Sequence, residues 1–169
     1  KRADVALDFE GLFVEHGKDR GSIARRSSNS WSLKTSGKTG HSSLLFNPVF
    51  GDGAIYELTR IISRFRSELP EANLTFNVGL IAGGTEAAFD PEGIRATARG
   101  KTNIIPATAI ARGDFRTLSD EQTARVKEKM SAIVAAHAPQ ADAEILFEKD
   151  GYPAMAPTDG SRALLARLN

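Results

Sequence analysis

Apolar and polar positions alternate over residues 31–35: Trp31, Leu33 and Thr35 fall to one side, Ser32 and Lys34 to the other. That is the period of a half-buried strand. The period then lengthens. Ile55, Leu58, Ile61, Ile62, Phe65 and Leu69 recur at helical steps, with Asp52 placed as an N-cap and Pro70 as a stop. Alternation returns over 74–81, with Leu74, Phe76, Val78 and Leu80 opposed to Thr75, Asn77 and Gly79. A third strand is predicted over 107–116, carrying Ile110, Arg112, Asp114 and Arg116 on one side and Ala109, Ala111, Gly113 and Phe115 on the other. Ser119-x-x-Gln122 is a capping box for a second helix striped by Val126, Met130, Ile133, Val134 and His137. Ile145 and Phe147 mark a fourth strand.

The order strand-helix-strand, repeated once, predicts an α+β fold. It is a four-stranded antiparallel sheet with two helices on one face (ferredoxin-like βαββαβ) and short N- and C-terminal extensions. Each helix has one apolar stripe, so helices on a single face suffice to bury the core. The other face, with Arg112, Asp114 and Arg116, is expected to stay open to solvent or a partner. Residues 4–10 read as a short strand ending in Glu10, and 11–28 as a connection. Residues 37–50 read as a Gly- and Ser-rich loop, and 86–101 as a long hairpin excursion. The tail from Gly151 reads as irregular, with room for a helix over 160–168.

Bulk properties narrow the function classes. A chain of 169 residues with 41% apolar and 25% charged residues suits one soluble domain. A net charge of +1 calls for neither nucleic acid nor an anionic membrane, and Arg20, Arg25 and Arg26 read as a solvated loop. Charged residues on the third strand, where RNA-binding sheets carry aromatics, also argue against RNA. There is no cysteine for disulfides or thiolate metal sites. No apolar run approaches the roughly 18 residues of a membrane span. Lys1-Arg2-Ala3-Asp4 is no signal peptide. These features predict a soluble protein and leave its compartment, cytoplasm or periplasm, open. A chain that enters a strand at once also reads as a piece of a longer one.

Several polar residues could carry chemistry. Gly37-Lys38-Thr39 is not a phosphate loop, because the Gly required five positions earlier is Ser32. His41 lies in the flexible run Gly37-Lys38-Thr39-Gly40-His41-Ser42-Ser43, where an N–H donor could meet a developing oxyanion. By itself it would be an exposed loop histidine. Asn103 precedes the third strand in Asn103-Ile104-Ile105-Pro106 and could form an Asx turn there. Arg116 ends that strand and could pair with Asp114 or Glu121, or grip a carboxylate with two hydrogen bonds. Glu10 is a lone carboxylate at a strand end.

Taken in order, the His41 loop, Gly83-Gly84-Thr85, Asn103-Ile104-Ile105-Pro106 and Asp114-Phe115-Arg116 resemble the lid, or dimerisation, domain of the M20 family of zinc-dependent peptidases and amidohydrolases, which includes glutamate carboxypeptidase-like enzymes. The resemblance runs over residues 3–157. It implies that His41 enters a partner subunit's active site and stabilises the oxyanion there, that Asn103 and Arg116 reach substrate, and that Glu10 ligates one of two zinc ions in the intact parent. The other expected metal ligands have no counterpart here, so the resemblance implies a fragment without a metal site and inactive alone. Tyr152 stands before Pro153 where some glutamate-releasing members carry a basic residue.

The resemblance divides the chain into the end of a catalytic-domain strand and linker (1–28), the dimerisation domain (29–150) and a return segment (151–169). In the split arrangement strand 74–82 falls at a sheet edge, so a homodimer is expected through it and helix 51–69; the resemblance implies a parent acting on a peptide or N-acyl amino acid. A non-catalytic ferredoxin-like module, binding a small ligand or regulating another protein, is the alternative.

Overall fold

The computed structural model describes residues 13–149 and 151–168. The strand expected over 4–10, and Glu10 with it, lies outside the described residues. The first described element is a hairpin, β1 (Phe13–Glu15) with β2 (Lys18–Arg20). It falls within the segment expected to be a bare connection. His16 and Gly17 form its turn with φ of 54° and 75°, the pair of positive values that two-residue hairpins favour.

The main sheet contains β3 (Asn29–Gly37), β4 (Thr75–Gly84), β7 (Thr108–Arg116) and β8 (Ala141–Phe147), in the order β4-β7-β3-β8 with every neighbour antiparallel. Between β4 and β7 comes a second hairpin, β5 (Glu86–Phe89) with β6 (Ala96–Arg99). Helix α1 (Gly53–Glu68) follows β3, α2 (Asp120–Ala135) follows β7, and α3 (Asp159–Leu168) closes the described chain. The strand order and the two crossovers are those of the ferredoxin-like fold, as expected. The edge strands are β4 and β8.

The core lies between the sheet and α1 and α2. Leu58, Ile61, Phe65 and Leu69 from the first helix region and Val126, Met130, Ile133 and Val134 from α2 are buried against Trp31, Leu33, Ala109, Ala111 and Phe115. Trp31 stacks on Phe76 at 5.4 Å between centroids and meets the edge of Phe65 at 5.9 Å. Gly113 makes room for the indole: a Cβ there would come within 2.6 Å of the Trp31 ring. Ser119 caps α2 by accepting from the Gln122 N–H at 3.2 Å, while the Gln122 side-chain oxygen accepts from Leu118 N–H at 2.9 Å. The capping box is thus present, shifted by one residue in its return bond.

Four local expectations need correction. Asp52 precedes α1 but makes no side-chain cap; Ala54 N–H instead donates to the Pro106 carbonyl at 3.0 Å. His137 lies just beyond α2, half-buried, rather than in its stripe. In β4, Val78 pairs with Gly113 and Leu80 with Arg112, so Gly79 is an extra, bulged residue. Directly opposed residues share a face, so the bulge moves Leu80 away from the side of Phe76 and Val78 and onto that of Arg112. Finally, the sheet face opposite the helices is only partly open. The β5–β6 hairpin folds over it: the Glu92 carbonyl near its tip accepts from Arg112 at 3.4 Å, and Arg112 also pairs with Glu148 at 2.8 Å. Ile110, on the same face, is 3% exposed.

Candidate functional site

The His41 and Asn103 loops are zipped together by backbone bonds. Ser42 N–H donates to the Asn103 carbonyl at 2.9 Å, Ile105 N–H to the Gly40 carbonyl at 2.8 Å, and the Thr39 hydroxyl lies 3.0 Å from the Ile105 carbonyl. His41 and Ile104 form an isolated β-bridge. Residues sixty positions apart in sequence are therefore neighbours at one end of the sheet, where β3 ends and β7 begins.

The His41 ring is exposed, and its orientation is fixed locally. Nδ1 accepts from Ser43 N–H at 3.2 Å and lies 2.9 Å from the Ser43 hydroxyl. A backbone N–H can only donate, so in the neutral ring Nδ1 is the acceptor and the proton sits on Nε2. Nε2–H is thus presented as a free donor among the described residues. The loop behind it is closed by backbone bonds: Leu44 N–H donates to the His41 carbonyl at 2.9 Å and Leu45 N–H to the Ser42 carbonyl at 3.1 Å, forming a short 3-10 turn over Ser42–Leu44. The Asn103 side chain is also exposed. It does not form the Asx turn that its position suggested; the local turn is closed by Ile104 N–H to the Lys101 carbonyl, 3.1 Å.

Arg116 lies elsewhere. It ends β7, whereas Asn103 precedes the start of that strand. The strand advances about 3.4 Å per residue, so its two ends lie roughly 27 Å apart. In one protomer the structure brings together His41 and Asn103 but not Arg116. The Arg116 Nε donates to Asp114 at 3.2 Å, the surface pair anticipated for it, with both side chains partly exposed. Such a pair contributes little and can be exchanged for another carboxylate.

Two residues that sequence reasoning passed over hold the Arg116 end in place. The buried hydroxyls of Ser27 and Thr117 lie 2.7 Å apart, Thr117 N–H donates to Ser27 at 3.0 Å, and Thr117 also meets the Thr123 hydroxyl. This network ties the residue after Arg116 to the segment leading into β3. The same segment pairs with the C-terminal stretch: Arg25 and Met155 exchange backbone bonds at 2.9 and 2.8 Å, as do Ser28 and Tyr152 at 3.1 and 3.2 Å. Ser and Thr in polar stretches carry no sequence signal of such pairing.

No group of three or more His, Cys, Asp or Glu side chains among the described residues is arranged to hold a metal ion. The described residues therefore do not fit a dinuclear zinc site. No described helix is long and apolar enough to cross a membrane.

Solved structures with the same fold include an amidase of the hydantoinase/carbamoylase family from Burkholderia phymatum (18% identity, TM-score 0.62), aligned over 86% of this chain and 33% of that one. A tripeptidase from Staphylococcus aureus aligns over 86% of this chain and 36% of its own (21% identity, TM-score 0.61). An aminobenzoyl-glutamate utilization protein from Klebsiella pneumoniae aligns over 85% and 32% (20% identity, TM-score 0.58). The chain spans about a third of the length of these proteins. No curated protein sequence matches significantly. Residues 23–142 match the family model described as the peptidase dimerisation domain of the M20 group, and the chain belongs to that family.

Proposed function

We propose that this chain is the dimerisation domain of an M20-type metal-dependent peptidase or N-acyl amino acid amidohydrolase. In this reading each active site of a homodimer draws on both protomers. The observation that carries it is the placement of His41 and Asn103 at one end of β7 and Arg116 at the other. A substrate the size of a dipeptide cannot touch both ends of one sheet.

A two-fold pairing resolves this. β4 is an edge strand, and its free backbone groups favour a second strand. Pairing β4 with its antiparallel mate makes one continuous sheet across an isologous interface flanked by α1. The two-fold axis then sets the Arg116 end of one protomer beside the His41–Asn103 end of the other. With strands about 4.8 Å apart, the two copies of β7 stand roughly 14 Å from each other. A substrate with an arginine side chain reaching toward it can bridge that gap.

The chemistry assigned to each group follows from its atoms. His41 Nε2–H donates to the scissile carbonyl oxygen and binds it more strongly as negative charge develops. Arg116 leaves Asp114 for a substrate carboxylate, which it can hold with two charge-assisted hydrogen bonds. The Asn103 amide both donates and accepts, so it can hold either an amide or a carboxylate. The zinc pair of the parent belongs to residues beyond those described, with Glu10 as this chain's one candidate ligand. The paired segments at 25–28 and 152–155 suit a domain inserted in a larger chain, whose two connections leave side by side. Under this reading the domain alone hydrolyses nothing.

Arg116→Ala in the full-length enzyme is expected to raise KM on the order of 10- to 100-fold, the cost of hydrogen bonds to a charged group. Steady-state kinetics on substrates with and without a free carboxylate check this. An equal effect on both substrates would remove Arg116 from carboxylate recognition.

A further inference from the structure

Five residues past His41, Phe46 is 71% exposed, and its backbone takes φ 63°, a region that bulky side chains rarely occupy. An exposed phenyl ring on a strained residue is doubly unfavourable in the isolated chain. The loop nevertheless holds it firmly. Phe46 N–H donates to the Gly51 carbonyl at 3.2 Å, Gly51 N–H to the Asn47 carbonyl at 2.7 Å, and Val49 N–H to the Asn47 side chain at 2.8 Å. The Gln140 side chain anchors the Pro48 carbonyl at 2.9 Å. The ring is displayed in advance rather than left to find its place.

Phe46 is also not alone. Its ring lies 6.4 Å from that of Tyr56, which is 56% exposed. Tyr56 adjoins Ile55 on α1, and Ile55 lies over Gly83 of β4, where a Cβ would come within 2.7 Å of it. Ile81, two residues earlier on β4, is 55% exposed. An apolar strip thus runs from the His41 loop across the start of α1 to the β4 edge. Taking 150–250 Å² per aromatic side chain, Phe46 and Tyr56 alone leave on the order of 250 Å² uncovered. That is about a third of the roughly 800 Å² per partner that a stable dimer buries.

We infer that Phe46, backed by Tyr56, is an anchor of the homodimer interface, which extends from the β4 edge to the loop bearing His41. The occupant is a second copy of this chain, because the strip is continuous with the edge through which the dimer is proposed to form. The inference rests on that dimer reading and adds a role to it: seating Phe46 on the partner fixes how the neighbouring His41 enters the partner's site. Rigid aromatic anchors of this kind dominate interface energetics.

Sedimentation equilibrium of the full-length protein tests it. Wild type should be a dimer, and Phe46→Ala and Tyr56→Ala should each raise the dimer dissociation constant roughly 30-fold or more, the range of interface hot spots. Ile94→Ala, at an exposed apolar position on the β5–β6 hairpin, should leave it within about threefold. A dimeric wild type whose affinity is unmoved by both aromatic substitutions would overturn the Phe46 role and leave the dimer standing. A monomeric wild type at high concentration would overturn the dimer reading, and the Phe46 role with it.

Discussion

His41→Ala in the full-length enzyme should lower kcat about 10²- to 10³-fold while leaving metal content and KM nearly unchanged. The size is that of removing one oxyanion donor. The pattern follows from the proposed role: there Nε2–H would meet an oxygen that carries appreciable negative charge only near the transition state, so ground-state binding would lose little. The fixed Nδ1 contacts with Ser43 give the effect its geometry, because they leave Nε2 as the protonated nitrogen. His41→Gln, whose amide can also donate, should recover part of the loss. Kinetics together with metal analysis check both variants. A His41→Ala enzyme with unchanged kcat would return His41 to the role of an ordinary loop histidine.

Trp31→Ala should destabilise the protein by about 3–5 kcal/mol, the range for deleting a large buried aromatic. Trp31 is fully buried, stacks on Phe76 and meets Phe65 edge-on, so its loss opens a cavity at the junction of β3, β4 and α1. One term opposes this: the indole Nε1–H is buried without a hydrogen-bond partner among the described residues. Leaving such a donor unsatisfied costs about 1–3 kcal/mol. Trp31→Phe removes that donor while keeping most of the ring, so it should cost well under about 2 kcal/mol. Urea unfolding followed by far-UV circular dichroism separates the two, since both variants lack the chain's single tryptophan. Equal losses for Ala and Phe would contradict this account, because they would mean that ring volume counts for nothing here and that the Nε1–H is stabilising rather than a cost.

The stripe from Ile55 to Leu69 was legible in most of its length because a period of 3.6 admits one buried face: the structure buries Leu58, Ile61, Phe65 and Leu69 on it, while Ile55 in the first turn is 39% exposed. The Ser119 cap was legible because its chemistry is local. The reversal at Leu80 was not, although an isolated Gly79 within an alternating run is a known mark of a bulge. The β5–β6 hairpin was visible as a polar excursion, but its landing place on Arg112 depends on contacts far along the chain. The candidate site divides in the same way. Residue types and motif order singled out His41, Asn103 and Arg116. The zipper that joins His41 to Asn103 needed the tertiary structure. That Arg116 stands at the far end of β7 follows from strand length alone; the proposed meeting of the two ends across a dimer would be a property of assembly, which the pattern of one chain does not carry.

The most direct test is a mixed dimer of the full-length enzyme with His41→Ala in one subunit and Arg116→Ala in the other. If each site takes His41 from one protomer and Arg116 from its partner, one site in the mixed dimer carries both defects and the other carries none. About half of wild-type activity per dimer should then return, although each homodimeric variant is impaired. Pairing His41→Ala with Asn103→Ala is the control: those residues share one end of one sheet, so every site keeps one defect and activity should stay low. Verified mixed dimers of the first kind that remain as impaired as their parents would contradict a site shared between protomers.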